Sequence, residues 1–237
     1  MSLVADIGNT KLKFCRINSG VVAEETVFSE CPDPLFFRDE KELVICSVVP
    51  SATSLLRYAF VNTTGIEPYV VSYNDIFFKT SYEDITRLGT DRICNAAYAV
   101  TRHGGNVIII DIGSAVTVDF VDNNGIFIGG MIMPGIELQL SALSDHTALL
   151  PELKAQKPLS PVGTGTESCI ISGVIHGIAG ACANFIKLIS ESSGKDAIVV
   201  LSGGGSKMIS SVAGFEHTIE ENTVPLGAYE LYLRRKL

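Results

Sequence analysis

The sequence predicts an α/β protein made of two related halves, and three observations predict it. The tripeptide Asp-Ile-Gly occurs at Asp6–Gly8 and again at Asp111–Gly113, each time after an apolar run and before an alternating segment. Each copy therefore reads as strand, tight polar turn, strand. The third observation is size. At 237 residues and 46% hydrophobic composition, the chain buries either one large core or two cores of about a hundred residues each. Matched strand contexts roughly half the chain apart favour two related folding units over two accidents.

The first half opens with a three-strand meander over residues 2–8, 11–17 and 20–28, turning at Asn18, Ser19 and Gly20. After a polar loop come an apolar strand at Leu43–Val49, a helix opened by Pro50 and Ser51, a short strand near Tyr69–Ser72 and a helix from Thr90. The second half restarts after Gly104 and Gly105 with a strand at Val107–Asp111, its hairpin partner to Val121 and a third strand through Met133. A helix follows Pro134 and Gly135, then a long apolar helix over Thr166–Ser190 and a buried strand at Ala197–Leu201. Within the long helix, Gly173, Gly177 and Gly180 share one face, a stripe that another backbone could approach. The division falls at 103/104. Residues 1–103 carry the first Asp-Ile-Gly turn and residues 104–237 the second.

Composition narrows the function. Lys+Arg 18 against Asp+Glu 26 gives a net charge of −8, which disfavours nucleic acid and acidic membrane surfaces as partners. The six cysteines form no C-x-x-C pair, and no histidine cluster has metal-ligand spacing, so zinc and redox centres lack support. Met1 leads straight into a strand, no leader segment is visible, and no uninterrupted apolar run reaches membrane length. Small soluble substrates and the cytoplasm are the expectation.

A carboxylate ending a buried strand, followed by glycine and small polar residues, can hold hydrated magnesium and offer backbone N–H groups to phosphate. Asp6 and Asp111 both stand in that setting. Between them, Leu88-Gly89-Thr90-Asp91-Arg92 lies where a loop becomes a helix. Asp91 there either steadies the helix N-terminus, with Thr90 as cap, or accepts a proton in phosphoryl transfer. Arg92 either clamps an anionic group or makes a surface ion pair. Thr164-x-x-Glu167 forms a capping-box pattern at the start of the long helix. Gly203-x-Gly205 lacks the third glycine of a dinucleotide fingerprint, since Met208 occupies that position, and reads as a glycine turn. No Walker A motif, Gly-x-Ser-x-Gly elbow or histidine triad is present.

These segments resemble the type III pantothenate kinases, within the superfamily of acetate and sugar kinases, heat-shock chaperone ATPases and actin. The resemblance rests on Asp6-Ile-Gly-Asn-Thr10, Leu88-Gly-Thr-Asp-Arg92, Asp111-Ile-Gly-Ser-Ala115 with Thr117 and Asp119, Gly129-Gly-Met-Ile-Met-Pro-Gly135, and Gly165-Thr166 before Ser172-Gly173. It implies two ribonuclease-H-like, actin-like ATPase domains, each a mixed sheet flanked by helices, with the active-site cleft between them. The second domain would also carry the adenosine loop. It implies ATP binding by Asp6, Ile7, Gly8, Asn9, Thr10, Lys11, Leu12, Lys13 and Ser114, and pantothenate binding by Tyr82, Gly89, Thr90, Asp91, Arg92 and Thr166.

Asp91 takes the place of the family's general base. Asp111 matches the residue associated with a monovalent cation, potassium or ammonium, and Asp6 lies near magnesium through water. Homodimers are common in the family. Two positions depart from its pattern: Ser114 stands where threonine is usual, which keeps the hydroxyl, and Gly165 where an asparagine usually precedes the threonine. A kinase of the same fold with another small hydroxylated acceptor, or a non-catalytic nucleotide-binding accessory protein, are the alternative readings.

Overall fold

A computed structural model describes residues 1–236. The first meander forms as its alternation predicts: β1 (Ser2–Ile7), β2 (Leu12–Asn18) and β3 (Val21–Phe28). A single turn of 3₁₀ helix, Pro34–Phe37, leads to β4 (Leu43–Ser47). Proline at its first position opens α1 (Pro50–Thr64), and Gly65 ends it in the left-handed region. Then come β5 (Tyr69–Val70) and α2 (Thr90–His103).

The second half repeats the meander as β6 (Val107–Ile112), β7 (Ala115–Val121) and β8 (Phe127–Pro134). It continues through α3 (Ile136–His146), α4 (Thr166–Ser193), β9 (Ile198–Ser202), α5 (Ser206–Ser210), β10 (Thr218–Ile219) and α6 (Thr223–Arg235). The sequence reading contains none of the last three elements. The first two are shorter than a periodic signal can register, and α6 carries Pro225 and Gly227 inside its pattern.

The two five-stranded sheets share one topology, β3-β2-β1-β4-β5 and β10-β9-β6-β7-β8 in reverse listing. In the first, β1 runs antiparallel to β2 and parallel to β4. In the second, β6 runs antiparallel to β7 and parallel to β9. Each sheet is thus mixed, with helices supplying its cover, which is the fold class that the repeat implies.

The chain packs as two units. One holds Met1–Gly105, Asn123–Gly129 and the described residues from Asn222 onward; the other holds Asn106–Asp122 and Gly130–Glu221. Helix α6, which a division at 103/104 counts with the second half, therefore belongs to the first unit.

Strand alternation sorts the first unit's side chains. Leu3, Ala5, Ile7, Leu12, Phe14, Leu43 and Ile45 face α1 and join Phe37, Leu56 and Phe60 in one apolar core. The opposite face presents Asp6, Lys13 and Cys46, which are register partners across β1, β2 and β4. In the second unit, Ile108, Ile110, Ile112, Val116 and Val118 form a core with Ile171, Ile175 and Ile178 of α4.

Helix α4 is long and apolar enough to cross a membrane by length and composition, with a mean hydropathy of 1.7 over an 18-residue stretch. Its glycines hide this in a search for unbroken apolar runs. One of its faces lies in the second unit's core. The stripe of Gly173, Gly177 and Gly180 differs from expectation: it points outward, and no backbone of the described residues comes within 4 Å of where a Cβ would stand.

Candidate active site

Asp6 and Asp111 are the penultimate residues of β1 and β6, but their turns differ. The register places residues 8–11 between Ile7 and Leu12, and residues 113–115 between Ile112 and Val116. Backbone bonds close both turns, Gly8 N–H to Lys11 O at 3.1 Å and Gly113 N–H to Ala115 O at 3.0 Å. The cross-strand neighbours differ too: Lys13 stands opposite Asp6, and Thr117 opposite Asp111. A cavity of about 540 Å³ opens beside the first turn, lined by Gly8, Asn9, Thr10, Leu12, Glu30 and Val49 among others. Asn9, Thr10 and Lys11 are exposed at the tip, as is Ser114 on the second turn.

The start of α2 is tied to the same end of the first sheet. Thr90 Oγ1 donates to the Ser47 carbonyl at 2.7 Å, so it links α2 to the end of β4 rather than capping its own helix. Gly89 is the N-cap residue instead. Asp91 Oδ1 accepts from the Arg92 backbone N–H at 2.8 Å, which gives the carboxylate a place in the first helical turn.

Asp6 and Asp91 meet electrostatically at one thiol pair. Cys94 Sγ donates to Cys46 Sγ at 3.5 Å, and both side chains are buried. The Cys46 thiol is held well above its ordinary range by that hydrogen bond and by burial, with smaller contributions from Asp6 and Asp91. Cys94 is raised by burial first, and the same two carboxylates add to it. In the first unit, the two acidic groups thus both raise one pair of thiols.

Arg92 is buried, unlike the surface ion pair that was one sequence reading, and stays charged because guanidinium does not deprotonate in proteins. Its Nη1 donates to Tyr82 Oη at 3.3 Å, and its guanidinium carbon lies 5.4 Å from the Tyr82 ring centre and 5.7 Å from that of Phe127. Two aromatic faces hold a planar cation in a fixed attitude. Phe127 escaped the sequence reading. It is fully buried, and its backbone pairs with the segment before Tyr82: Ser81 N–H donates to Phe127 O at 2.9 Å, and Phe127 N–H to Lys79 O at 2.9 Å.

In the second unit, Gly203 has φ +81°, and a Cβ there would collide with Asp111 Oδ1 and the Ile112 carbonyl. The glycine turn at 203–205 is therefore packed against the end of β6, with Gly205 N–H donating to Ile112 O at 2.9 Å. Thr166 begins α4 and is exposed. The helix is not opened by a Thr164–Glu167 box: Ser168 Oγ accepts from the Thr164 and Gly165 N–H groups, both at 3.1 Å.

These donors suit some ions and not others. Among the described residues, no three His, Cys, Asp or Glu side chains cluster as a metal cage. Single carboxylates at strand ends do fit magnesium, which keeps most of its water and binds through substrate phosphates with one or two protein oxygens. Asp111 Oδ1, packed closely against Gly203, is a hard oxygen of the type that hard cations take.

The family profile described as type III pantothenate kinase matches residues 2–188. The chain belongs to the type III pantothenate kinase family. Two curated relatives carry that family name. The protein from Ruegeria pomeroyi is 37% identical over 168 residues, covering 70% of this chain and 65% of the relative. The protein from Agathobacter rectalis is 35% identical over 178 residues, covering 73% and 67%. The matched stretches thus span about two thirds of those type III pantothenate kinases. Among solved structures, a conserved member of the Baf transcriptional activator family from Campylobacter jejuni superposes with a TM-score of 0.65 at 20% identity, over 99% of this chain and 98% of that one. At that identity the likeness speaks for the fold.

Proposed function

We propose that this type III pantothenate kinase family member transfers the γ-phosphoryl group of ATP to the primary hydroxyl of pantothenate, giving 4′-phosphopantothenate, the first step of coenzyme A biosynthesis. The observation that carries the reading is the seat of Asp91: an acidic side chain in the room that Gly89 leaves, on a helix start tethered through Thr90 to Ser47, at the sheet end that also bears Asp6.

In phosphoryl transfer the protein mostly positions reactants and offsets charge, and a carboxylate takes the attacking hydroxyl's proton late. Asp91 does this in our reading. Arg92, held by Tyr82 and Phe127, binds the carboxylate of pantothenate in company with Tyr82, Gly89, Thr90 and Thr166. Asp6, Ile7, Gly8, Asn9, Thr10, Lys11, Leu12 and Lys13 bind ATP through turn N–H groups and the lysine charge, and Ser114 adds a hydroxyl. Magnesium would supply charge neutralisation on the phosphates, with Asp6 as the residue that would hold it, and Asp111 would hold a potassium or ammonium ion. The working form is a homodimer in the cytoplasm.

The test is direct. Purified protein with ATP, magnesium and potassium should release ADP when pantothenate is added, in a coupled assay, and the product should be pantothenate phosphorylated at its primary hydroxyl. ADP release that ignores pantothenate, or nucleotide binding with no transfer to it, would reject the assignment.

A further inference from the structure

We infer that Asn222 is a positioning residue for Lys13, fixing the lysine ammonium beside the first turn without cancelling its charge. The inference deepens the proposed function and rests on Asp6–Lys13 being the phosphate-binding segment.

Lys13 and Asp6 are register partners on β2 and β1, so they share one face of the sheet. Lys13 Nζ donates to Asn222 Oδ1 at 3.1 Å, and the same oxygen accepts from Cys15 Sγ at 3.7 Å. The Glu25 carboxylate stands at 4.0 Å, the outer limit of an ion pair. An ammonium has three donors. Asn222 takes one of them and directs the others.

Asn222 is shaped for this. It precedes α6 at the N-cap position, where an asparagine ordinarily accepts a hydrogen bond from its own helix, yet its side chain makes no such bond. Its backbone sits at φ 65°, ψ 28°, the left-handed region that asparagine tolerates better than most residues. That twist goes with an amide turned onto β2 instead of α6.

The next residue locks the arrangement: Thr223 Oγ1 donates to Asn95 Oδ1 of α2 at 2.7 Å, both residues being buried. An amide oxygen orients a cation and leaves its unit charge intact. A carboxylate in the same place would form an ion pair and weaken the lysine's pull on a phosphate.

The experiment measures binding of ADP and of a non-hydrolysable ATP analogue by titration calorimetry, together with the KM for pantothenate, in the full-length protein. Asn222→Gly keeps the left-handed backbone and deletes the acceptor. Asn222→Asp keeps an acceptor of the same shape and adds charge.

Nucleotide affinity should fall about threefold to tenfold in Asn222→Gly, the worth of one hydrogen bond that places a charge, and at least as far in Asn222→Asp. The KM for pantothenate should stay at the wild-type value, and both losses should vanish when Lys13→Met is already present. A merely structural cap would make Asn222→Asp resemble wild type.

Undiminished nucleotide affinity in Asn222→Gly, or an equal loss with and without Lys13, overturns the inference. Because binding is read without turnover, wild-type protein that binds nucleotide but does not phosphorylate pantothenate refutes the proposed substrate alone. Absence of nucleotide binding refutes both.

Discussion

Gly89 leaves vacant the space that the Asp91 carboxylate occupies: a Cβ built on Gly89 would lie 2.5 Å from Asp91 Oδ1. The atom it meets is the far end of a side chain, not backbone, and the φ of −57° at Gly89 suits any residue. Gly89→Ala should therefore turn the carboxylate away while the fold persists. We expect kcat to fall about 100-fold, the scale of a misplaced catalytic group. The loss of stability should be at most about 1 kcal/mol. Steady-state kinetics beside a urea melt checks both, and an unchanged kcat would mean that Asp91 needs no exact place.

Asp91→Asn keeps shape and removes the proton acceptor. In the proposed mechanism kcat falls by about 10²- to 10⁴-fold, while ADP binding holds. The comparison also separates the two sequence readings of this residue, since an aspartate that only steadies the helix N-terminus gives way to asparagine with its rate unchanged and a stability loss of at most about 1 kcal/mol.

Arg92→Lys retains charge and loses the plane that lies against the neighbouring rings of Tyr82 and Phe127. A point charge on a flexible stem does not reproduce a stacked, two-pronged donor. The KM for pantothenate should rise by about tenfold or more, with the KM for ATP unmoved. Equal rises in both constants would count against a pantothenate contact.

Where α2 and α6 cross, a Cβ on Gly227 would run into the Cys94 backbone carbonyl. Backbone cannot swing aside as a side chain can, so Gly227→Ala must push the helices apart. A loss of about 1–3 kcal/mol is expected from such overpacking, seen as a fall of several degrees in Tm. An unaltered melting curve would show that α6 has more freedom than its packing allows.

The thiols give a pH signature. Burial pushes Cys15 up to about 12 and Cys182 up to about 11, while an unfolded thiol titrates near 8.5. As pH rises past about 9, the unfolded chain gives up thiol protons that the folded chain keeps; it then binds fewer protons, and stability falls with pH up to the folded values. A series of denaturant melts from pH 8 to pH 11 should show this decline, and Cys15→Ala should flatten it. Brief alkylation at neutral pH should label exposed Cys169 and spare Cys46 and Cys94.

Much of this was legible beforehand, and the gaps have physical causes. Asp6 and Asp111 announce themselves because a carboxylate at the end of an apolar strand is a local pattern. The start of α2 at Thr90 is local too, although Thr90 bonds to Ser47 across 43 residues instead of capping. Phe127 and Asn222 act only through partners distant in sequence, Lys79 to Tyr82 and Arg92 in one case and Lys13 in the other. No window of neighbouring residues contains that information. The cap of α4 failed more narrowly: Ser168, one place after Glu167, binds the turn. With glycine at 165, where an asparagine could cap with its own side chain, that serine hydroxyl does the work from inside the helix.

The return of α6 to the first unit bears on how the protein comes into being. On the ribosome, the first sheet and α2 emerge early, yet the helix that packs on α2 at Cys94 is translated only after the whole second sheet. Until then the flank of α2 that α6 buries stays open to water, and the segment that bears Asp91 gains its last packing partner only when the final helix arrives.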